Sequence, residues 1–233
     1  MAKTNKWLFI TGTDTDVGKT VIATGLLAAA NRAGLRTAAI KPVAPGCEDI
    51  GAGLQNDDAL QLQAAASHQL PYQQVNPVAL AAAIAPHIAA QEEGKALSAS
   101  RLAGYCRGLG LLPVDMLLVE GAGGWRVPLN NRETLADVAR ELNCSVVIVV
   151  GLKLGCINHA LLTSEAVRRD GLHIAGWVCN LIDADMPRIN ENIATLKRII
   201  NEPCLGVVPR LTDLTPEQVG GFLKLPAEFE TES

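Results

Sequence analysis

Aromatic residues make up only 3% of this chain, too few for a stacking platform on which bases could lie. Positive charge is equally sparse: 20 Lys and Arg against 24 Asp and Glu leave a net charge of −4, with no dense basic cluster. Together these shortages argue against nucleic acid or an acidic membrane surface as the main partner. No apolar run approaches the roughly 20 residues that a spanning helix needs. The six cysteines (Cys47, Cys106, Cys144, Cys156, Cys179, Cys204) contain no Cys-x-x-Cys pair, and His68, His87, His159 and His173 add no ligand spacing. Zinc and a disulfide framework are therefore poor readings, and reduced thiols are expected. The apolar run before Thr11 is short for a secretory signal, so the cytoplasm is the expected compartment. What remains is a chain of 233 residues, 48% hydrophobic and 19% charged, enough for one core. The expectation is a single domain over residues 1–233 acting on a small molecule.

The strongest local signal is Gly12-Thr-Asp-Thr-Asp-Val-Gly18-Lys19-Thr20, preceded by the apolar Trp7–Ile10 and followed by the Ala/Leu-rich Val21–Ala30. Strand, glycine loop and helix in that order make a phosphate cradle, because the uncapped N–H groups of a helix start point at the anion. Lys19 would reach terminal phosphates, and the Thr20 hydroxyl would ligate Mg²⁺. The simpler reading is a glycine turn opening an ordinary helix. The common loop has four residues between its glycines; here Thr13 to Val17 make five.

Downstream, the spacing predicts a helix over Lys19–Ala33, a strand over Thr37–Ile40, and Lys41-Pro42 at the strand's carboxyl end. Residues 42–55 read as a loop, and Asn56–Ala66 as a helix with Asp58 in its first turn. Pro71, Pro77 and Pro86 leave room only for short helices between Ser67 and Gly94. A helix over Ser98–Leu112 precedes a buried strand, Met116–Val119, that runs into a second glycine loop, Glu120-Gly121-Ala122-Gly123-Gly124. The pattern continues with helix Thr134–Leu142, strand Ser145–Val150, a helix from near Asn158 to Arg169, and strand Ile174–Cys179 ending at Asn180. Helix Arg188–Ile200 and strand Leu205–Val208 complete it, with an acidic tail, Pro226–Ser233, expected to fray. Strands alternating with helices imply an α/β fold: one parallel sheet with helices on both faces.

In such a sheet, ligands bind outside the carboxyl ends of the strands. That edge collects Lys19, Thr20, Lys41, Glu120, the loop after Val150, and Asn180. Thr20, Asp58 and Glu120 offer oxygens for a hydrated Mg²⁺, and Lys41 offers positive charge to a phosphoryl group in transfer. Taken singly, Asp58 could only stabilise a helix start, Glu120 only cap its backbone, and Lys41 only be a solvated lysine.

The motifs Thr11–Thr20, Lys41-Pro-Val-Ala44, Asn56–Leu60, Val119–Trp125, Val149–Ala160 and Gly176-Trp-Val-Cys-Asn180 resemble the dethiobiotin synthetases across nearly the whole chain. The longer first loop is part of that likeness. The resemblance implies a P-loop NTPase-like fold, a homodimer, and ATP with Mg²⁺. The implied chemistry joins CO₂ to 7,8-diaminononanoate through a carbamate and a carbamic-phosphoric anhydride, giving dethiobiotin, ADP and phosphate. It implies Lys19 and Lys41 on phosphate and carbamate, and Thr20, Asp58 and Glu120 on metal. Asp16, Val17, Gly18, Lys19, Thr20 and Val21 would wrap the nucleotide together with Gly121, Ala122 and Gly123. Asn180, Leu181, Pro209, Arg210 and Leu211 would lie near adenine. Thr15 and Pro45 would lie beside the diamine, and Gly155, Cys156, Ile157 and Asn158 would receive its carboxylate, from the partner subunit. Two departures stand out: Pro45 occupies a position where a hydroxyl residue is common, and Asp16 one where Glu is.

Two other outputs remain compatible with the fold, a related amide-forming ligase and a partitioning-type ATPase switch. The switches carry an early loop lysine, and Thr13–Val17 contains none.

Overall fold

A computed structural model describes residues 6–210 and 215–230. In chain order it begins β1 (Lys6–Gly12), α1 (Lys19–Arg32), β2 (Thr37–Ile40), then the two-residue strands β3 (Val43–Ala44), β4 (Glu48–Asp49) and β5 (Leu54–Gln55). Next come α2 (Asp57–Ala65), α3 (Tyr72–Val75), β6 (Val78–Ala79), α4 (Pro86–Glu92), α5 (Ala99–Leu109) and β7 (Met116–Gly124). The last part holds α6 (Leu135–Leu142), β8 (Ser145–Leu152), α7 (Cys156–Arg169), β9 (Ile174–Leu181), α8 (Ile189–Ile199), β10 (Cys204–Val208) and α9 (Pro216–Gly221).

Six strands form one parallel sheet in the order β10-β9-β8-β1-β7-β2. Both faces must be covered, which explains why Val146 to Val150 is an unbroken apolar run: every one of those residues is buried. The chain leaves β1 towards β2 on one side, whereas β8 leads to β9 and β10 on the other. Right-handed crossovers in opposite directions lie on opposite faces. Accordingly α1 packs with α2 and α9, while α5 packs with α6, and α7 with α8. Between β1 and β8 the connections diverge, which opens a crevice at their carboxyl ends.

Several sequence expectations need correction. Gly121 to Gly124 are not a loop but the end of β7, with a register irregularity where Gly12 pairs Gly124. The expected loop over residues 42–55 contains β3, β4 and β5, and β3 pairs in parallel with β6. α7 begins at Cys156, two residues before the expected start. α9 was not anticipated; its six residues are too few for a clear helical period. Near the carboxyl end, Ala227–Phe229 forms a 3₁₀ turn that buries Phe229 to 3% exposure.

α9 reaches α1 through two glycines. A Cβ on Gly25 would stand 2.5 Å from Val219 Cγ1, and one on Gly220 would stand 2.8 Å from the Gly25 carbonyl oxygen. We expect Gly25→Val to destabilise by about 2 kcal/mol, since overpacking of about 1–3 kcal/mol exceeds any helix-propensity gain. Thermal unfolding should show a Tm lowered by about 4–8 °C; an unchanged Tm would mean that α9 does not pack as described.

Candidate active site

The P-loop is built by β1 and α1. α1 begins with no side-chain cap, so its first N–H groups are left for an anion. Gly18, its N-cap, has φ +83, and a Cβ there would collide with the Asn180 amide. That amide is itself committed, because Asn180 Nδ2 donates to the Val17 carbonyl at 2.9 Å. Thr13 N–H donates to the Val149 carbonyl at 3.0 Å, tying the loop to β8. Asp16 lies in the left-handed region at φ 57, a conformation in which Asp and Asn are among the favoured non-glycine residues.

Register places the charges. β2 pairs with β7 so that Ile40 faces Val119, which sets Lys41 beside Glu120 at the next position. Lys41 is 3% exposed and Glu120 is fully buried. Lys41 Nζ donates to Glu120 Oε1 at 2.6 Å and to Asp58 Oδ2 at 2.6 Å. Thr20 Oγ1 donates to the same Glu120 oxygen at 3.0 Å. Glu120 Oε2 is buried and has no hydrogen-bond partner among the described residues.

The backbone of Lys41 is held just as firmly. Its N–H donates to the Val75 carbonyl at 2.7 Å, and its carbonyl accepts from Asn76 Nδ2 at 2.8 Å. Asn76 Oδ1 accepts from the Tyr72 hydroxyl at 3.0 Å, and that hydroxyl oxygen accepts from Asn56 N–H at 2.8 Å. Asn56 caps α2 by accepting from Ala59 N–H at 3.3 Å. One hydrogen-bonded chain thus fixes Lys41 and the helix start that carries Asp58.

Burial pushes the Lys41 ammonium down, but Glu120 and Asp58 outweigh it and hold the group above the ordinary lysine range. Burial pushes Asp58 up, and Lys41 outweighs that, leaving the carboxylate below its ordinary value. Lys19 goes the other way: burial lowers it, Lys41 adds repulsion, and Glu120 only partly compensates. Thr20, Asp58 and the orphaned Glu120 oxygen form a hard oxygen set suited to a hydrated Mg²⁺ shared with phosphate.

A cavity of about 630 Å³ opens from this cluster, lined by Thr15, Asp16, Lys19, Lys41, Pro45 and Asp58. Its other walls are Ala83–Pro86, Ala122, Gly123, Arg126, Val127 and Pro128. A hollow of about 170 Å³ runs along Gly18, Thr20 and Val21 towards Gln61. Gly121, Leu181, Pro209 and Arg210 line neither; Arg210 Nη1 donates to the Ile182 carbonyl at 3.3 Å. Gly155, Cys156, Ile157 and Asn158 also lie outside both spaces. Leu211 falls outside the described residues.

Sequence reasoning missed several parts. Asp14 and Lys153 join the loop to the end of β8 through a 2.7 Å ion pair, which holds Asp14 below its ordinary pKa. A charge on each side of the β1/β8 crevice was a readable signal. Arg126 and the Ala83–Pro86 wall carried none, because only the folded chain brings them to the cavity.

A protein-family model described as an AAA domain matches residues 6–218. The fold resembles the septum site-determining protein MinD of Pyrococcus horikoshii, solved with Mg-ADP, with a TM-score of 0.56, 14% identity, and 98% and 90% of the two chains covered. It also resembles the signal recognition particle receptor FtsY of Elizabethkingia anophelis, with a TM-score of 0.56, 15% identity, and 98% and 65% covered. The protein thus has a P-loop NTPase fold. ATP-dependent dethiobiotin synthetase of Cellvibrio japonicus is 60% identical over 220 residues, covering 94% of this chain and 96% of the relative. The Aromatoleum aromaticum synthetase is 46% identical, with 97% and 100% covered. The chain belongs to the ATP-dependent dethiobiotin synthetases, C–N ligases of biotin biosynthesis.

Lys41→Met leaves Glu120 buried without its cation, which should cost about 3 kcal/mol at pH 7. The double variant Lys41→Met/Glu120→Gln should recover part of that loss. Chemical denaturation at pH 7 would show this; equal stability of wild type and Lys41→Met would refute the buried pair.

Proposed function

We propose that the protein makes dethiobiotin from 7,8-diaminononanoate, CO₂ and ATP, with Mg²⁺ held by Thr20, Asp58 and Glu120. The observation that carries this reading is the Lys41 ammonium, 2.6 Å from two carboxylates and opening into the same cavity as Lys19 and Thr15. The metal would supply charge neutralisation to the phosphates. The chain's own residues do the rest. One amine captures CO₂ as a carbamate, losing a proton, and Lys41 and Thr15 orient the anion. The γ-phosphoryl group passes from ATP to a carbamate oxygen, with Lys19 and Lys41 offsetting the negative charge that spreads over the phosphoryl oxygens. The second amine attacks the carbonyl of the mixed anhydride, loses its proton and expels phosphate, closing the cyclic urea. Lys41, with its raised pKa, acts as a fixed cation rather than a base.

Gly18 and Val21 wrap the phosphates along the smaller hollow, and the end of β7 backs the nucleotide. With Asn180 Nδ2 engaged by Val17, its carbonyl oxygen is left to accept from an exocyclic amino group, which suits adenine; Leu181, Pro209 and Arg210 flank the same end. Pro45 presents a ring, not a hydroxyl, to the diamine, and the contact becomes one of shape. The Gly155–Asn158 turn lies outside its own chain's cavity, which favours its serving the cavity of a second copy: α7 starts there with no side-chain cap, and Leu154 and Leu162 beside it are 89% and 57% exposed. The reading is thus a homodimeric enzyme of the cytoplasm. Among the described residues no helix is long and apolar enough to cross a membrane.

With ATP, Mg²⁺ and bicarbonate, ADP release should depend on the diamine, one ADP per dethiobiotin formed; release that ignores the diamine would sink the reading. Lys41→Ala should lower kcat by at least about 10³-fold while nucleotide still binds. Near-normal turnover would return Lys41 to a structural role.

A further inference from the structure

Lys41 stands where the sheet no longer holds it. The ladder between β2 and β7 ends at Ile40 and Val119, and Pro42, which has no N–H, turns the chain away. β2 is also the edge strand, so the outer side of Lys41 lies beyond the sheet. The Lys41 backbone is fixed there by α3 and the residue after it, a piece bracketed by Pro71 and Pro77. The Val75 carbonyl takes the Lys41 N–H, and Asn76 donates to the Lys41 carbonyl.

Asp58 poses the same problem on α2. The far end of that helix is tied to α1, where Asn31 Nδ2 donates to the Ala65 carbonyl at 2.9 Å. Its near end, which carries Asp58, is tied through Asn56 N–H to the Tyr72 hydroxyl.

The two ties meet at one oxygen. Asn56 N–H needs an acceptor and Asn76 Oδ1 needs a donor, and a hydroxyl is both at once. The Asn76 amide has a fixed sense, because Nδ2 is claimed by the Lys41 carbonyl at 2.8 Å and the Val78 carbonyl at 3.4 Å. Tyr72, Asn76 and Asn56 are all buried, where a lost partner is costly. Burial also pushes the Tyr72 phenol above its ordinary pKa, so the donor stays in place across the neutral range. The P-loop is held separately, by Val149 and Asn180.

We propose that Tyr72 is a positioning residue of the active site, whose hydroxyl sets the spacing between the Lys41 ammonium and the Asp58 carboxylate. Tyr72 lines neither the cavity nor the smaller hollow; it acts through Asn76 and Asn56. This rests on the reading above, in which Lys41 meets the phosphoryl group and Asp58 the Mg²⁺.

Two variants test it. Tyr72→Phe keeps the ring and removes the hydroxyl, whereas Asn76→Ala frees Lys41 but keeps the bond between Asn56 and Tyr72. The measurements are kcat for diamine-dependent ADP release, and calorimetric ADP binding with and without Mg²⁺. Both variants should lower kcat at least about tenfold, the scale of a small misplacement of a group that acts on the reacting atoms. Tyr72→Phe should also weaken the Mg²⁺ enhancement of ADP binding at least about threefold, while Asn76→Ala leaves it within about twofold of wild type. ADP affinity without Mg²⁺ should stay within about twofold in both, which reports a folded P-loop. Wild-type kcat in Tyr72→Phe, or an equal loss of the Mg²⁺ effect in the two variants, would overturn the proposal and leave the chain a role in stability alone. If Tyr72→Phe does not fold, Asn76→Ala decides, and an unchanged kcat there overturns the proposal. Wild type whose ADP release ignores the diamine would instead defeat the underlying reading, and the proposal with it.

Discussion

Lys41 and Glu120 are both charged and both removed from water, and each alone would cost several kcal/mol to bury. They are tolerated because β2 and β7 pair in a register that sets them side by side. Asp58 joins from the start of α2, and Thr20 from the first turn of α1. Four elements therefore converge on one carboxylate oxygen and one ammonium. A slip of one residue between β2 and β7 would turn Lys41 to the other face and leave Glu120 buried alone.

The pH behaviour follows with definite sign. The lowered Asp58 contributes stability above its ordinary carboxylate range, lost as pH falls through its folded value. The raised Lys41 contributes below the ordinary lysine value, and that contribution is lost only as pH rises through its folded value. The cluster is thus intact across the neutral range. Among the described residues Glu120 Oε2 has no hydrogen-bond partner, and Asp58 remains partly open to solvent. A buried carboxylate oxygen left unpaired beside a phosphate loop is what a cation seat requires.

Much of this arrangement was legible in sequence because it lies at strand ends. Gly12–Thr20, Lys41 and Glu120 each follow a short apolar run, and the edge of a parallel sheet gathers such ends together. The middle of the chain was not legible. Tyr72, Asn76 and Asn56 lock the backbone of Lys41 to α2, yet they fall in a segment broken by prolines, where no period reveals a role. The glycines after Glu120 suggested a loop because glycine is rare in strands, whereas here β7 runs through them. Arg126 was invisible for another reason: its partner Asp170 is 44 residues away.

We propose that Glu120, steadied by Lys41, completes a cation seat for a bound nucleotide. Calorimetric titration of ADP into wild type and Glu120→Gln, with and without Mg²⁺, tests it most directly. The account predicts that Mg²⁺ tightens ADP binding to wild type by at least tenfold and to Glu120→Gln by less than threefold. An equal Mg²⁺ effect in the two proteins would contradict it.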